Sequence, residues 1–217
     1  MRQFIAKLLV CMLIVPVLGC KDEKKYHDTQ KEVVVPTDSN TLAEILEFQE
    51  NLNKEFKDPE TSPLPDRYRK DFEGLDFFDP DTLYRVKAKL VRTPEAEPFF
   101  MPTNTDRTSH EVVYGIVYFN LKGKAFQLEV YQNQELKEES GYEDYLFLPF
   151  TDRTNGKETY EGGRYIDLSI PKGDTVVIDF NKAYNPYCVY NKKYSCPLVP
   201  EANSLDVEVY AGVKAFK

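Results

Sequence analysis

From Leu83 onward the apolar residues of this chain recur with a period of two, and nothing else in the sequence constrains the fold as tightly. Val86, Ala88 and Leu90 alternate with Arg85, Lys87 and Lys89, which predicts a strand with one face in water. Glu111 to Asn120 is apolar on both faces, with Val112, Tyr114, Ile116 and Tyr118 set against Val113, Val117 and Phe119, so this strand is expected to be central or sandwiched. Leu121-Lys122-Gly123-Lys124 turns the chain back, and Phe126, Leu128 and Val130 continue as a hairpin partner. Further strands are predicted at Tyr145 to Phe150, Arg164 to Ile170, Thr175 to Phe180 and Leu205 to Tyr210, with Pro171-Lys172-Gly173-Asp174 as a second tight turn. A complement of 15 Tyr and 14 Phe suits strands better than helices. The expected fold class is mainly β: an antiparallel β-sandwich or small barrel with one N-terminal amphipathic helix.

That helix follows from a second periodicity. Thr41-Leu42-Ala43-Glu44 fits a capping box, and Leu42, Ile45, Gln49, Leu52 and Phe56 then share one face until Asp58-Pro59 ends the run. Such a face must lie on something, here one end of the sheet. Glu60 to Pro80 carries Pro63, Pro65, Phe72, Leu75, Phe77 and Phe78; it is too apolar for a free linker and is expected to wrap on the body.

The chain begins differently. Arg2 and Lys7 precede an apolar run from Leu8 to Leu18, well short of the roughly 20 residues that span a bilayer. A signal peptide over residues 1–19 is expected. The run closes in Val17-Leu18-Gly19-Cys20, which resembles the lipobox of bacterial lipoproteins, and the resemblance implies that Cys20 is lipidated and anchors the chain to a membrane. The charged cluster Lys21-Asp22-Glu23-Lys24-Lys25 is similar to signals that send lipoproteins to the cell surface; the alternative is a plain solvated tether. Residues 20–40 read as a flexible linker, and residues 41–217 as a single mostly-β domain. The location expected is the cell envelope, at the outer membrane. Without Arg2 and Lys7, the 28 basic residues fall to 26 against 36 acidic ones, a net charge of –10. A surface that acidic repels phosphate backbones, which argues against a nucleic-acid partner.

The C-terminal half carries phrases that place it further. Tyr145-Leu146-Phe147-Leu148-Pro149-Phe150 leads into Asp152 and then Thr159-Tyr160-Glu161-Gly162-Gly163-Arg164-Tyr165. Asp179-Phe180-Asn181-Lys182-Ala183-Tyr184-Asn185-Pro186, Tyr190-Asn191 and Tyr194-Ser195-Cys196-Pro197 follow in order. This string resembles the bacterial and archaeal family called domain of unknown function 1684, over about Leu42 to Gly212. The departure is Glu161, where the family usually has glycine. The resemblance implies a fold but no activity.

Motif chemistry is sparse. His27 sits in the tether and His110 in a loop, and no His- or Cys-rich cluster has metal-ligand spacing, so neither zinc hydrolysis nor any cofactor is expected. No nucleophile elbow, phosphate loop or dinucleotide fingerprint is present. Cys188 and Cys196 fall in one Tyr-, Asn- and Pro-rich loop, where a disulfide and two free thiols are both open readings; outside the cytoplasm the disulfide is favoured. By the parity of Ile166, Leu168 and Ile170, Arg164 begins on the inward face, so its guanidinium needs a partner, Asp152 or Asp179. Gly162 and Gly163 would let the backbone approach another group closely. Two meanings compete. One is a pocket for an anion or sugar with Tyr160, Arg164 and Tyr184 on its wall. The other is a structural ion pair that pins the loop. Tyr165, Tyr187, Tyr190 and Tyr194 with Asn181, Asn185 and Asn191 would line a carbohydrate groove or simply pack a loop.

The function expected is a membrane-anchored, non-catalytic module binding a small polar ligand or an envelope protein. The alternative is an envelope hydrolase using a carboxylate pair such as Asp152 with Asp167 or Glu158. A third reading is a structural envelope protein that only docks to a neighbour. A deep pocket around Arg164 favours the enzyme, an aromatic groove favours binding, and a flat surface favours docking.

Overall fold

The computed structural model describes residues 39–216. The signal peptide, Cys20, His27 and the tether up to residue 38 lie outside the described residues. The first helix, α1, runs from Ser39 to Lys57. Thr41 therefore sits inside its first turn rather than capping it, and Glu44 is engaged by the Asn40 amide at 2.9 Å and by the Arg85 guanidinium at 2.7 Å. Ile45 and Phe56 are fully buried, but Leu42 is 40% exposed. Thr41, one helical turn before Ile45, takes the inward position that Leu42 was expected to fill. No described helix is long and apolar enough to cross a membrane.

After α1 the chain is irregular apart from one turn, α2 (Asp66–Arg69). It is not loose. Leu64, Phe72 and Leu75 pack with Phe56 of α1 and with Tyr187 and Tyr190. Phe78 N–H donates to the Gly212 carbonyl at 3.0 Å, so this stretch wraps the body as expected.

Seven strands follow: β1 (Arg85–Arg92), β2 (Phe99–Pro102), β3 (Thr108–Leu121), β4 (Lys124–Asn133), β5 (Tyr145–Phe150), β6 (Arg164–Ser169) and β7 (Thr175–Asp179). They form one antiparallel sheet in the order β6-β5-β4-β3-β1-β7, curled into a half-barrel. The long β3 is the spine. Its first residues pair with β2 and its later ones with β1, so two strands share one of its edges. Lys122 (φ 51°) and Gly123 (φ 74°) make the β3–β4 turn, and two positive φ angles are what a two-residue hairpin of matching twist requires.

The concave side is filled by Val86, Ala88, Leu90, Val117, Leu128 and Ile178 with their neighbours. Each Val, Leu or Ile side chain among them contributes about 1.5–3 kcal/mol by leaving water, and the Ala88 methyl less. The convex side carries a second, smaller cluster of Met101, Tyr131, Phe147 and Tyr165. β2 went unpredicted, since Pro98 and Pro102 bracket a short run that shows no period of two.

Leu205 to Tyr210 is not a strand. Its alternation is real, for Leu205, Val209, Ala211 and Val213 are buried in turn. Yet its backbone groups go mostly to side chains instead of a ladder: the Val209, Ala211 and Val213 carbonyls accept from Arg164, and Val209 N–H donates to Asp152. Period two reports an extended chain, not its hydrogen-bond partner.

Candidate ligand-binding cavity

Arg164 opens β6 pointing inward, as its parity requires, and has no solvent exposure. One terminal nitrogen, Nη2, bonds Asp152 Oδ2 and the Val209 carbonyl, both at 2.9 Å. The other reaches the carbonyls of Ala211 and, at 3.3 Å, Val213. Asp152 Oδ1 accepts in turn from Thr154 N–H, Thr154 Oγ1 and Val209 N–H. Every contact is to protein, and the pair bolts the C-terminal segment beneath the sheet. Both side chains of the pair are fully buried, and Arg164 does not line the cavity described below.

The remaining residues of that candidate pocket scatter. Asp179 does not partner Arg164; it caps the turn at Phe180–Lys182 through Asn181 and lies 3.7 Å from Arg85. Gly163 has φ 91°, and a Cβ there would stand 2.6 Å from the Phe150 carbonyl. At Gly162 the added carbon would meet the Tyr160 ring at 2.5 Å. The double glycine therefore admits close approach, but to the protein's own backbone and ring. Glu161 is exposed. Asp152 and Asp167, offered as a hydrolytic pair, face opposite sides of β6: Asp152 meets the inward Arg164, and Asp167 projects outward. Glu158 is exposed.

Tyr184 leads to the cavity the structure does contain. It is a space of about 410 Å³ against the convex face, where β3, β4, β5 and β6 form the floor. Phe48, Leu52 and Glu55 of α1 form one wall, and the loop from Tyr184 to Pro197 forms another. Two carboxylates stand on the floor. Glu111 is only 2% exposed; its Oε1 accepts from Ser109 Oγ at 2.7 Å and Asn133 Nδ2 at 2.8 Å. Its Oε2 is buried without a partner. Burial pushes the Glu111 carboxyl above the usual carboxylate range, with Ser109 and Asn133 opposing.

Asp167 Oδ1 accepts from Tyr184 Oη at 2.6 Å and Tyr145 Oη at 2.8 Å. Asp167 keeps solvent contact, yet the surrounding groups desolvate it enough to raise its pKa against those two donors. Burial, with the Asp167 charge added, holds the Tyr184 phenol well above its ordinary value. Sequence reading counted Tyr165, Tyr184, Tyr187 and Tyr194 as groove candidates, and all four line this space. It missed Glu111, because a lone Glu at a strand start carries no motif; it laid the helix on one end of the sheet but did not make Phe48, Leu52 and Glu55 a cavity wall.

Cys196 also borders the cavity, and its sulfur accepts from the Cys188 N–H at 3.1 Å. Both cysteines are free thiols here, so no disulfide is shown. Among the described residues no three His, Cys, Asp or Glu side chains are grouped to hold a metal ion.

Comparison with known proteins gives the same picture of a recognisable fold without an assigned chemistry. Comparison with the curated proteins finds no match. A solution NMR structure of an uncharacterised protein from Haloarcula marismortui is similar at 34% sequence identity, covering 81% of this chain and 94% of that one, with a TM-score of 0.63. The model of a family described as "Protein of unknown function (DUF1684)" matches residues 70–214, which starts later than the resemblance read from the sequence and leaves α1 outside it. The sheet, the bolt and the cavity floor all lie within that span, and the chain belongs to the DUF1684 family.

Proposed function

We propose that this chain is a lipid-anchored, non-catalytic binding module of the cell envelope, which captures a small polar ligand in the cavity on the convex face of its sheet. The observation that carries the reading is Glu111: a carboxylate 2% exposed, with one oxygen unpartnered, on the floor of an open, aromatic-walled space. A buried polar atom without a partner is expensive, and a ligand donor would relieve it. Open aromatic cavities with a few convergent polar groups are the usual form of small-ligand sites. The anchor rests on the Val17-Leu18-Gly19-Cys20 tetrapeptide and the short apolar run before it, with residues 1–19 removed, residues 20–40 as tether and the outer membrane as the location. The half-barrel we read as an incompletely closed barrel rather than a sandwich, since Tyr184 pairs with Tyr165 of β6 across the gap after β7.

The test is a thermal-shift screen of the full chain in detergent against sugars, organic acids, nucleotides and amines. A true ligand at about a hundredfold over its Kd adds about 2.7 kcal/mol of stability. That gain should vanish in Leu136→Trp, which fills the cavity. No shift with any class, or a shift that survives Leu136→Trp, overturns the reading. A ligand consumed during incubation, followed by mass spectrometry, replaces it with the hydrolase.

A further inference from the structure

The cavity has an unusual balance of hydrogen-bonding groups. Its lining includes three carboxylates, Glu55, Glu111 and Asp167, and no Lys, Arg or His. Five tyrosines border it, and a phenol ordinarily offers a proton as well as a lone pair. Here four of those protons are already committed. Tyr145 and Tyr184 donate to Asp167, Tyr187 to Glu55, and Tyr165 to the Pro197 carbonyl. Ser109 Oγ and the Asn133 amide are spent on Glu111 Oε1. What these groups leave facing the space is acceptors and ring faces.

A carboxylate or phosphate ligand would find hardly a donor here and would be repelled by three acids. A sugar, which both donates and accepts, would find few donors for its acceptors, the Tyr194 phenol among them. A ligand that only donates fits. Its charge would compensate the buried Glu111, whose proton affinity burial has already raised. The rings supply the rest, since aromatic faces attract cations within about 6 Å. An inorganic ion lacks the grouped ligands it needs among the described residues.

We infer that the ligand is an organic amine, its ammonium donating to the unpartnered oxygen of Glu111 near Asp167 and its hydrocarbon body lying on the Phe147 and Tyr165 side of the floor. Asp167 lines the same cavity and adds a second negative charge to it. This inference rests on the cavity being a binding site.

Titration calorimetry of the full chain in detergent, with matched probes, tests the class. Benzylamine, phenethylamine, putrescine and choline are compared with benzyl alcohol, phenethyl alcohol, phenylacetate, glucose and calcium chloride. At least one amine should bind about tenfold or more tightly than its neutral isostere. Glu111→Gln, which keeps the shape and removes the charge, should lose that advantage. Asp167→Asn should lose part of it, which guards against Glu111→Gln failing to fold. Alcohols, glucose or phenylacetate binding as well as the amines overturns the cation while leaving the cavity a binding site. Calcium binding in place of amines does the same. No probe binding at all, together with a negative ligand screen, removes both readings.

Discussion

Arg164 shows what one residue can hold. Its guanidinium is fully buried and spends its two terminal nitrogens on one carboxylate and three carbonyls, with its central carbon 5.3 Å from the Phe150 ring centroid and Nε unpartnered. Removing one member of a buried pair strands the other, at a cost of about 3–5 kcal/mol. Arg164→Ala is therefore expected to lose about that much, read from urea or thermal unfolding. Asp152→Leu in the same chain should restore little, because three carbonyls stay orphaned. An Arg164→Ala protein melting with wild type would refute the bolt. The inward direction of Arg164 was legible from the parity of Ile166 and Leu168, and so was the need for a partner. The carbonyls were not, since no side-chain pattern announces which backbone a guanidinium will meet 45 residues away. Glu111 was illegible for a related reason: its environment comes from Ser109 beside it and Asn133 across the sheet, and only strand register joins them.

At the level of elements, alternation located β1, β4, β6 and β7, while apolar runs buried on both faces located β3 and β5. Alternation failed at Leu205 to Tyr210, where the same pattern belongs to a chain held by side chains, and at β2, too short to show a pattern. It also could not say which face of the sheet would matter. Sequence parity drew attention to the inward side, whereas the cavity lies on the outward side of β6, with Tyr165 and Asp167. The loop that walls this cavity carries Cys188 and Cys196, with Cys188 N–H on the Cys196 sulfur. We predict that in an oxidising compartment the two join. Closing so short a loop stabilises the fold by about 2.5 kcal/mol on the chain-entropy estimate. Thiol titration of the purified chain, denatured without reductant, should find neither thiol reactive; two reactive thiols per chain would exclude the bond.

For the whole molecule, the proposed lipid anchor at Cys20 would hold a folded body that begins near Ser39. Several acyl chains on one residue would make that attachment stable, as one would not. Cys20→Ser should shift the protein from the membrane pellet to the soluble fraction after cell fractionation, while Arg164, far along the chain, governs melting and not partition. Retention of Cys20→Ser in the pellet would remove the anchor. The helix that closes one wall of the cavity with Phe48, Leu52 and Glu55 lies outside the matched family span.

The bolt beneath the sheet also sets an order of events. Arg164 cannot be taken out of water until Val209, Ala211 and Val213 exist to receive it, and those residues leave the ribosome some 45 to 49 positions later. The half-barrel therefore has no inexpensive resting state while it is being made. A polypeptide that delays its own closure in this way stays threadable, which is what export of the proposed lipoprotein through a narrow translocation channel would require.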